Sequence, residues 1–183
     1  YLSTPMRFGC GGEMKNRLML APMTKQQSHD DGRPSEDEYR WLVMRAEGGF
    51  GATMTCASHV QAIGKGFPGQ LGCFAGEHLP GLARLAQGIK QHDSLALLQL
   101  HHAGMRSPQE QIGEAPVCPS ADADTGARAL TLAEVEQVRD DFIAAAVRAE
   151  QAGFDGVALH GAHGYLLCQF LSPGINQRED AYG

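Results

Sequence analysis

The sequence has few cysteines, and none of them shows the paired spacing used by metal or disulfide sites. The five thiols are scattered, odd in number and never form a C-x-x-C pair; they are Cys10, Cys56, Cys73, Cys118 and Cys168. This pattern excludes a disulfide framework, a zinc ribbon and an iron–sulfur ligand set. We expect reduced thiols and a cytoplasmic location, because cytosolic proteins keep their cysteines reduced.

Long apolar runs and basic clusters are also missing. No stretch approaches the roughly 18 uncharged residues of a membrane span, and residues 1–5 lack the basic start and apolar core of a signal peptide. With 15 Lys and Arg against 21 Asp and Glu, the net charge is −6. No run of Lys and Arg is interleaved with aromatic residues, so a phosphate-binding surface is not expected. Neither a membrane nor a nucleic acid is therefore an expected partner.

Nucleophile and nucleotide motifs are equally sparse. The sequence contains no G-x-S-x-G and no P-loop. Residues 64–69 satisfy G-x-G-x-x-G, but further glycines follow at Gly72 and Gly76, and no helix is expected before about Glu77. A dinucleotide-binding turn opens directly into a helix, so we interpret this stretch as a loop.

The residues that are present favour a globular α/β fold. Hydrophobic residues make up 43% of the chain, which is enough for a core. Apolar periodicity predicts three helices, at residues 35–48, 77–92 and 131–153. Ser35 with Glu38, and Thr131 with Glu134, have the spacing of capping boxes at the first and third of these helices.

Short apolar runs alternate with the helices and predict parallel strands buried on both faces. They lie at residues 18–23, 52–59, 95–101 and 156–160. Ahead of them, residues 6–8 and 13–17 flank a glycine cluster and predict a small hairpin. This order matches half of the eight units of a TIM barrel. An open doubly wound sheet is the alternative fold.

We therefore expect the N-terminal half of a (β/α)8 TIM barrel, preceded by a β-hairpin. Residues 1–17 would cap one end of the sheet, and residues 18–183 would form the first four strands with their helices in a single domain. Half a barrel leaves two strands without neighbours. We expect this segment to be incomplete by itself, and association into a homo-oligomer would be one way to cover its edges.

Chemistry in a barrel is expected at the carboxyl ends of its strands. Thr24 and Gln99 lie at two of these ends, and His160, His163 and Tyr165 follow the last strand within six residues. Packing alone does not explain two imidazoles and a phenol so close together. Gln99, taken alone, is more readily interpreted as a structural hydrogen-bonding residue than as a ligand-contacting one.

A zinc site is the main alternative for the histidines. His160, His163 and Cys168 could be three ligands of a metal-dependent hydrolase. No H-E-x-x-H and no carboxylate-rich companion supports this interpretation, so no metal is expected.

The segment from His160 onward resembles the signature of the old yellow enzymes and related NADH:flavin oxidoreductases. It reads H-G-A-H-G-Y-L-L-C-Q-F-L-S-P and continues to Gly183. Similar blocks occur in family order at residues 16–24, 45–49, 99–104, 119–120 and 152–156, so the resemblance covers essentially the whole chain. It implies a barrel with FMN over the strand ends and NADH or NADPH as hydride donor. The substrate would be a small molecule with an activated alkene.

The resemblance also implies roles for individual residues. The flavin would be contacted by Ala21, Pro22, Met23, Thr24, Ala57, Gln99 and His160. His160 and His163 would donate hydrogen bonds to the carbonyl oxygen of the substrate, and Tyr165 would protonate the alkene.

Two departures from the family pattern affect what can be transferred. Met105 stands where an arginine commonly follows the His-Ala-Gly block, which implies that the contacts of that arginine are lost. The family's flavin-phosphate site lies in its second half, outside this sequence. A half-barrel without catalytic activity is therefore a further alternative. The physiological substrate, the preferred nicotinamide and the oligomeric state stay open.

Overall fold

The computed structural model describes residues 1–183. Its strands are β1 (Met6–Arg7), β2 (Glu13–Met14), β3 (Met19–Leu20), β4 (Ala52–His59), β5 (Leu95–His101), β6 (Val117–Cys118), β7 (Arg128–Ala129) and β8 (Gly156–Leu159). Its helices are α1 (Glu36–Glu47), α2 (Leu79–Lys90), α3 (Gln109–Ile112), α4 (Leu132–Gln151) and α5 (Leu166–Phe170). Single 3-10 turns lie at Ala62–Gly64, Gly76–His78 and Gly104–Arg106. None of the helices combines the length and the hydropathy that a membrane span requires.

A four-stranded parallel sheet, ordered β3-β4-β5-β8, forms the centre of the molecule. Met19 pairs with Ala52, Ala52 with Leu95, and Leu97 with Gly156. Successive strands are joined through α1, α2 and α4, which makes each step a parallel βα unit. The predicted α/β architecture with four parallel strands is confirmed.

The prediction that all four strands are buried on both faces is wrong for the outer two. Every residue of β4 is buried, and β5 is buried or half-buried throughout. By contrast, Met19 in β3 is 49% exposed and Leu159 in β8 is 62% exposed. The reason is the position of β3 and β8 at the edges of the sheet, where each has a neighbour on one side only.

The hydrophobic core lies between the sheet and the helices α1, α2 and α4. Leu42, Leu82 and Leu85 from the first two helices are completely buried, as is Leu98 from β5. Phe142 of α4 belongs to the same cluster. Burial of each such side chain contributes about 1.5–3 kcal/mol, so this layer fixes the helices on one face of the sheet.

The two predicted capping boxes differ in outcome. At α4 both halves form: Thr131 Oγ1 accepts from Glu134 N at 3.2 Å, and Glu134 Oε2 accepts from Thr131 N at 2.8 Å. At α1 only Ser35 caps, accepting from Glu38 N at 3.2 Å. The Glu38 carboxylate is buried and accepts from Ser28 and Cys56 instead. The capping-box prediction for α1 is therefore half wrong: Ser35 caps the helix, but the Glu38 side chain does not bond back to Ser35 N because it is bonded to buried side chains.

The predicted hairpin forms as the antiparallel pair β1–β2, in which Met6 faces Met14. Beyond it, Lys15 Nζ donates to the His92 carbonyl at 2.5 Å, just before β5 begins. Asn16 Oδ1 accepts from Gly51 N at 3.1 Å, just before β4 begins. The hairpin segment is thus tied to the amino ends of the central strands and leaves their carboxyl ends free.

We predict that a polypeptide of residues 1–183 associates in solution, because β3 and β8 carry unpaired backbone groups beside exposed apolar side chains. Leu159→Lys places a charge on the β8 edge and should reduce association. Met44→Lys, at a side chain 58% exposed on α1, is the matched control and should not. Light scattering measures both. A monodisperse monomer for the parent polypeptide contradicts the prediction.

Candidate active site

The carboxyl ends of the four strands surround a cavity of about 210 Å³. Its lining comprises Pro22, Met23, Thr24, Ala57, Phe67, Gln99, His160, Ala162, His163 and Tyr165. Every residue predicted to form the site lines this cavity except Ala21, which is exposed directly after β3. Phe67 and Ala162 also line the cavity, although no sequence pattern indicated them.

A larger groove of about 710 Å³ runs beside α4, β8 and α5. Twelve of its fourteen lining residues are hydrophobic, and the exceptions are Arg139 and Gly183. No group of polar side chains converges in it. The smaller cavity at the strand ends is therefore the candidate site, because reaction chemistry needs convergent polar groups.

The two histidines and the tyrosine sit on one tight turn after β8. His160 N donates to the Leu100 carbonyl at 3.0 Å, which extends the sheet pairing by one residue. His163 and Gly164 then both adopt left-handed backbone conformations, with φ of 57° and 68°. The ring of His160 consequently lies 5.1 Å from that of His163 and 5.0 Å from that of Tyr165, measured between centroids.

The imidazoles of His160 and His163 contact each other through Nε2 and Nδ1 at 3.4 Å. Burial, followed by the nearby His163, lowers the pKa of His160 below its ordinary value. His160 is therefore neutral at neutral pH, with one nitrogen as donor and the other as acceptor. Because the 3.4 Å contact is long, a ligand oxygen can readily replace it.

Arg106, in the loop after β5, contacts the turn that carries His163 and Tyr165. Its guanidinium donates to the His163 carbonyl and lies 4.9 Å from the centroid of the Tyr165 ring. Met105, in the position where an arginine commonly stands, brings no charge to the site, whereas the next residue along the chain brings a guanidinium there.

Ala57 and Gln99 are placed opposite each other by a β-bulge. The register of β4 against β5 shifts between Met54 and Ala57, after which Ala57 pairs with Gln99. Thr55 Oγ1 accepts from Gln99 N at 3.2 Å and secures the shifted register. Bulges of this kind re-aim side chains near active sites.

The polar groups around the cavity fit the edge of a flavin ring. The Gln99 side chain makes no hydrogen bond within the chain although the residue is only 9% exposed. The backbone N–H groups of Ala21, Met23 and Thr24 also donate to no atom of the chain. Nearly buried polar groups normally have partners. A ring edge that both donates and accepts would satisfy the amide and the backbone together.

A buried ionic network holds the segment that follows Thr24. Lys25 Nζ lies 3.5 Å from Glu38 Oε1 and 4.3 Å from the centroid of the Trp41 ring. Both charged side chains are almost fully buried. Burial lowers the pKa of Lys25, while Glu38 opposes that shift. This network ties the loop to α1, and no sequence pattern indicated it.

The glycine-rich residues 64–69 form a loop, as expected. A Cβ at Gly64 would lie 2.6 Å from the His102 ring, and one at Gly69, whose φ is +63°, would lie 2.7 Å from the Gln26 carbonyl oxygen. These two glycines are therefore required for close packing. A dinucleotide fingerprint is not needed to explain them.

The zinc alternative has no three-ligand set. Cys168 lies on α5 and does not join His160 and His163 in a cluster, and no group of three or more His, Cys, Asp or Glu side chains could hold a metal ion.

Comparison with known proteins agrees with this geometry. The model of the NADH:flavin oxidoreductase / NADH oxidase family matches residues 1–183. The chain belongs to this family. Membership confirms the resemblance noted from the sequence, and it supports FMN and a nicotinamide as the cofactors.

Two curated relatives of the family are longer than this chain. "Probable NADH-dependent flavin oxidoreductase YqiG" of Bacillus subtilis is 41% identical over 100% of this chain and 50% of its own length. "NADH:fumarate oxidoreductase" of Klebsiella pneumoniae is also 41% identical, over 98% of this chain and 20% of its own length. The chain thus spans about half of the first relative and a fifth of the second.

A solved member of the family confirms the half-barrel fold. The old yellow enzyme homologue from Zymomonas mobilis superposes with a TM-score of 0.91 at 33% identity, covering 100% of this chain and 54% of that one.

We predict that the free energy of unfolding falls on acidification. Burial lowers the pKa of His59 to about 4 and those of His101 and His102 to about 3, whereas unfolded histidine has a pKa of about 6.5. Between these values the unfolded chain binds protons that the folded chain does not. Stability is therefore lost as pH drops below about 6.5, by up to about 1.4 kcal/mol per pH unit for each histidine.

Urea denaturation of the flavin-free protein between about pH 7 and about pH 5 measures this dependence. His59→Gln removes one of these groups and should lower the slope by up to about one third. A stability that does not change across this range contradicts the prediction.

Proposed function

We propose that this chain carries the active site of an FMN-dependent ene-reductase. The enzyme would use NADH or NADPH to reduce the activated C=C bond of an α,β-unsaturated carbonyl or similar compound. The observation that carries the proposal is the convergence of His160, His163 and Tyr165 on the same cavity as the unpartnered Gln99 amide. We further propose that residues 1–183 are one half of a single barrel domain, with residues 1–17 as its capping hairpin.

The residues that would hold FMN are Ala21, Pro22, Met23, Thr24, Ala57, Gln99 and His160. Bound FMN would supply the hydride transfer, from the nicotinamide to the β-carbon of the alkene. The backbone N–H groups of Ala21, Met23 and Thr24 would donate to the ring edge. The Gln99 amide would donate and accept there, and Ala57 leaves room for close approach because its side chain is a single methyl group.

His160 and His163 would bind the carbonyl oxygen of the substrate. Negative charge accumulates on this oxygen during reduction, and two fixed N–H donors stabilise it more than they stabilise the neutral carbonyl. One such donor is worth about 3 kcal/mol in the transition state. The short turn after β8 holds both rings before substrate arrives, so little reorganisation is needed.

Tyr165 would give a proton to the other alkene carbon. Its hydroxyl makes no hydrogen bond within the chain, while its ring is held between other side chains. The O–H is thus free to reach a ligand in the cavity. Water would return the proton afterwards, so that hydride and proton together balance the addition of two hydrogens across the double bond.

The name of the Klebsiella relative agrees with an alkene substrate, since fumarate contains a C=C bond activated by carboxylates. This chain matches only 20% of that protein's length. Our proposal therefore rests on the geometry of the cavity and takes from that name only the class of compound.

We predict that Tyr165→Phe slows alkene reduction by about a hundredfold and leaves reduction of the bound flavin by the nicotinamide nearly unchanged, because only the alkene step consumes the proton. Stopped-flow spectroscopy of the two half-reactions measures this in the flavin-loaded enzyme. Tyr182→Phe, which removes a hydroxyl contacting Arg139 away from the cavity, is the matched control and should alter neither half. Equal slowing of both halves by Tyr165→Phe would show that it is not the proton donor.

We also predict that His160→Ala and His163→Ala each weaken the binding of phenolic ligands by about tenfold or more, since each loses a donor worth at least about 1.4 kcal/mol to a bound oxyanion. Titration of the visible charge-transfer band in the flavin-loaded enzyme gives the dissociation constants. His29→Ala changes an exposed histidine outside the cavity and should leave them unaltered. Unchanged affinity in both cavity variants would rule out the oxyanion role.

A further inference from the structure

His101 is a buried histidine for which the proposed reaction has no use. It is the last residue of β5 and is 0% exposed. Its ring lies 4.3 Å from the Tyr165 ring at an interplanar angle of 80°, and 5.3 Å from the His160 ring at 70°. His101 therefore touches the proposed proton donor from behind, where no substrate can reach it.

Gln70 determines which ring nitrogen of His101 carries the proton. Gln70 Oε1 accepts from Gly66 N at 2.6 Å, and Gln70 Nε2 donates to the Ala57 carbonyl at 3.0 Å. These two bonds settle which end of the amide carries hydrogens. The remaining N–H of Gln70 points at His101 Nδ1, 3.0 Å away, so Nδ1 is the acceptor and the ring proton is on Nε2.

The imidazole stays neutral in this arrangement. Burial, together with the nearby His160 and His102, lowers the pKa of His101 to about 3. Its Nε2 is buried and has no hydrogen-bond partner in the chain. A buried donor without a partner is unfavourable, and the ring that carries it meets the Tyr165 ring edge to face, an arrangement that aromatic pairs favour.

The glycine-rich loop brings these groups together. A Cβ at Gly66 would lie 3.3 Å from Cε1 of His101, closer than most side chains tolerate. Gly66 also supplies the N–H that orients Gln70. The loop thus holds Gln70 in contact with His101.

We propose that His101, held by Gln70 with its proton on Nε2, is a positioning residue that fixes the Tyr165 ring and with it the direction of the phenol O–H. This inference rests on the proposed function, because it takes Tyr165 as the proton donor. Tyr165 is held from a second side by Arg106, whose guanidinium lies 4.9 Å from the ring centroid. A donor held on two sides loses little freedom when substrate binds.

The first test compares two variants of the flavin-loaded enzyme by stopped-flow spectroscopy. His101→Leu removes the aromatic edge and should slow alkene reduction by about tenfold or more, without slowing flavin reduction by the nicotinamide. His101→Phe keeps an aromatic edge against Tyr165 but lacks the contact with Gln70 and the Nε2 proton, so it should restore part of the rate. Equal slowing of both half-reactions by His101→Leu, or no rescue by His101→Phe, would overturn the proposal.

The second test asks whether His101 acts through Tyr165. In a Tyr165→Phe background, His101→Leu should slow alkene reduction no further, because the hydroxyl that it positions is already gone. Independent, multiplicative effects would overturn the proposal. If Tyr165→Phe alone fails to slow alkene reduction, the proposed role of Tyr165 as proton donor fails and this inference fails with it. If Tyr165→Phe slows the reaction but the two effects multiply, only this inference fails.

The third test needs neither flavin nor turnover. In the flavin-free protein labelled with 15N-histidine, the His101 nitrogens should show the shifts of a neutral ring protonated at Nε2. Gln70→Leu removes the orienting donor and should produce a mixture of the two neutral forms. A parent protein with the proton on Nδ1, or a Gln70→Leu variant with the parent shifts, would overturn the role of Gln70.

Discussion

The parallel pairing of four strands is the constraint on which the rest of the structure depends. Because β3, β4, β5 and β8 run in the same direction, their carboxyl ends meet at one edge of the sheet. Residues that are far apart in the sequence, such as Thr24 and Tyr165, therefore line one cavity. The hairpin segment attaches at the opposite ends of the strands and leaves this edge open.

Neutral histidines are the second consequence of this architecture. His102 ends up buried beside the site with both ring nitrogens engaged: Nδ1 accepts from Gly104 N at 3.0 Å, and Nε2 lies 3.0 Å from Gln61 Oε1. His101 is similarly held by Gln70. Desolvation disfavours the charged form of each ring. The site therefore keeps fixed N–H donors behind its reacting groups without burying positive charge, at the expense of stability in acid.

Local patterns in the sequence were sufficient to predict most of the fold. The apolar runs at β4 and β5 predicted both strands with their observed ends, and the Thr131–Glu134 spacing predicted the start of α4. The errors have a common cause in contacts between distant residues. The Glu38 side chain does not form its half of the capping box because it contacts Ser28, Cys56 and Lys25 in the folded protein. β3 and β8 are exposed because the sheet has edges there.

The sequence by itself determined the element order, the residues at the strand ends and the family to which the chain belongs, because these depend on local periodicity and on a contiguous motif. Only the tertiary structure decided how those residues act on one another. The bulge that sets Ala57 opposite Gln99, the guanidinium that Arg106 brings to Tyr165, and the contact of Gln70 with His101 all join separate segments of the chain. Such contacts have no signature in local spacing, since they depend on how the sheet and its loops pack.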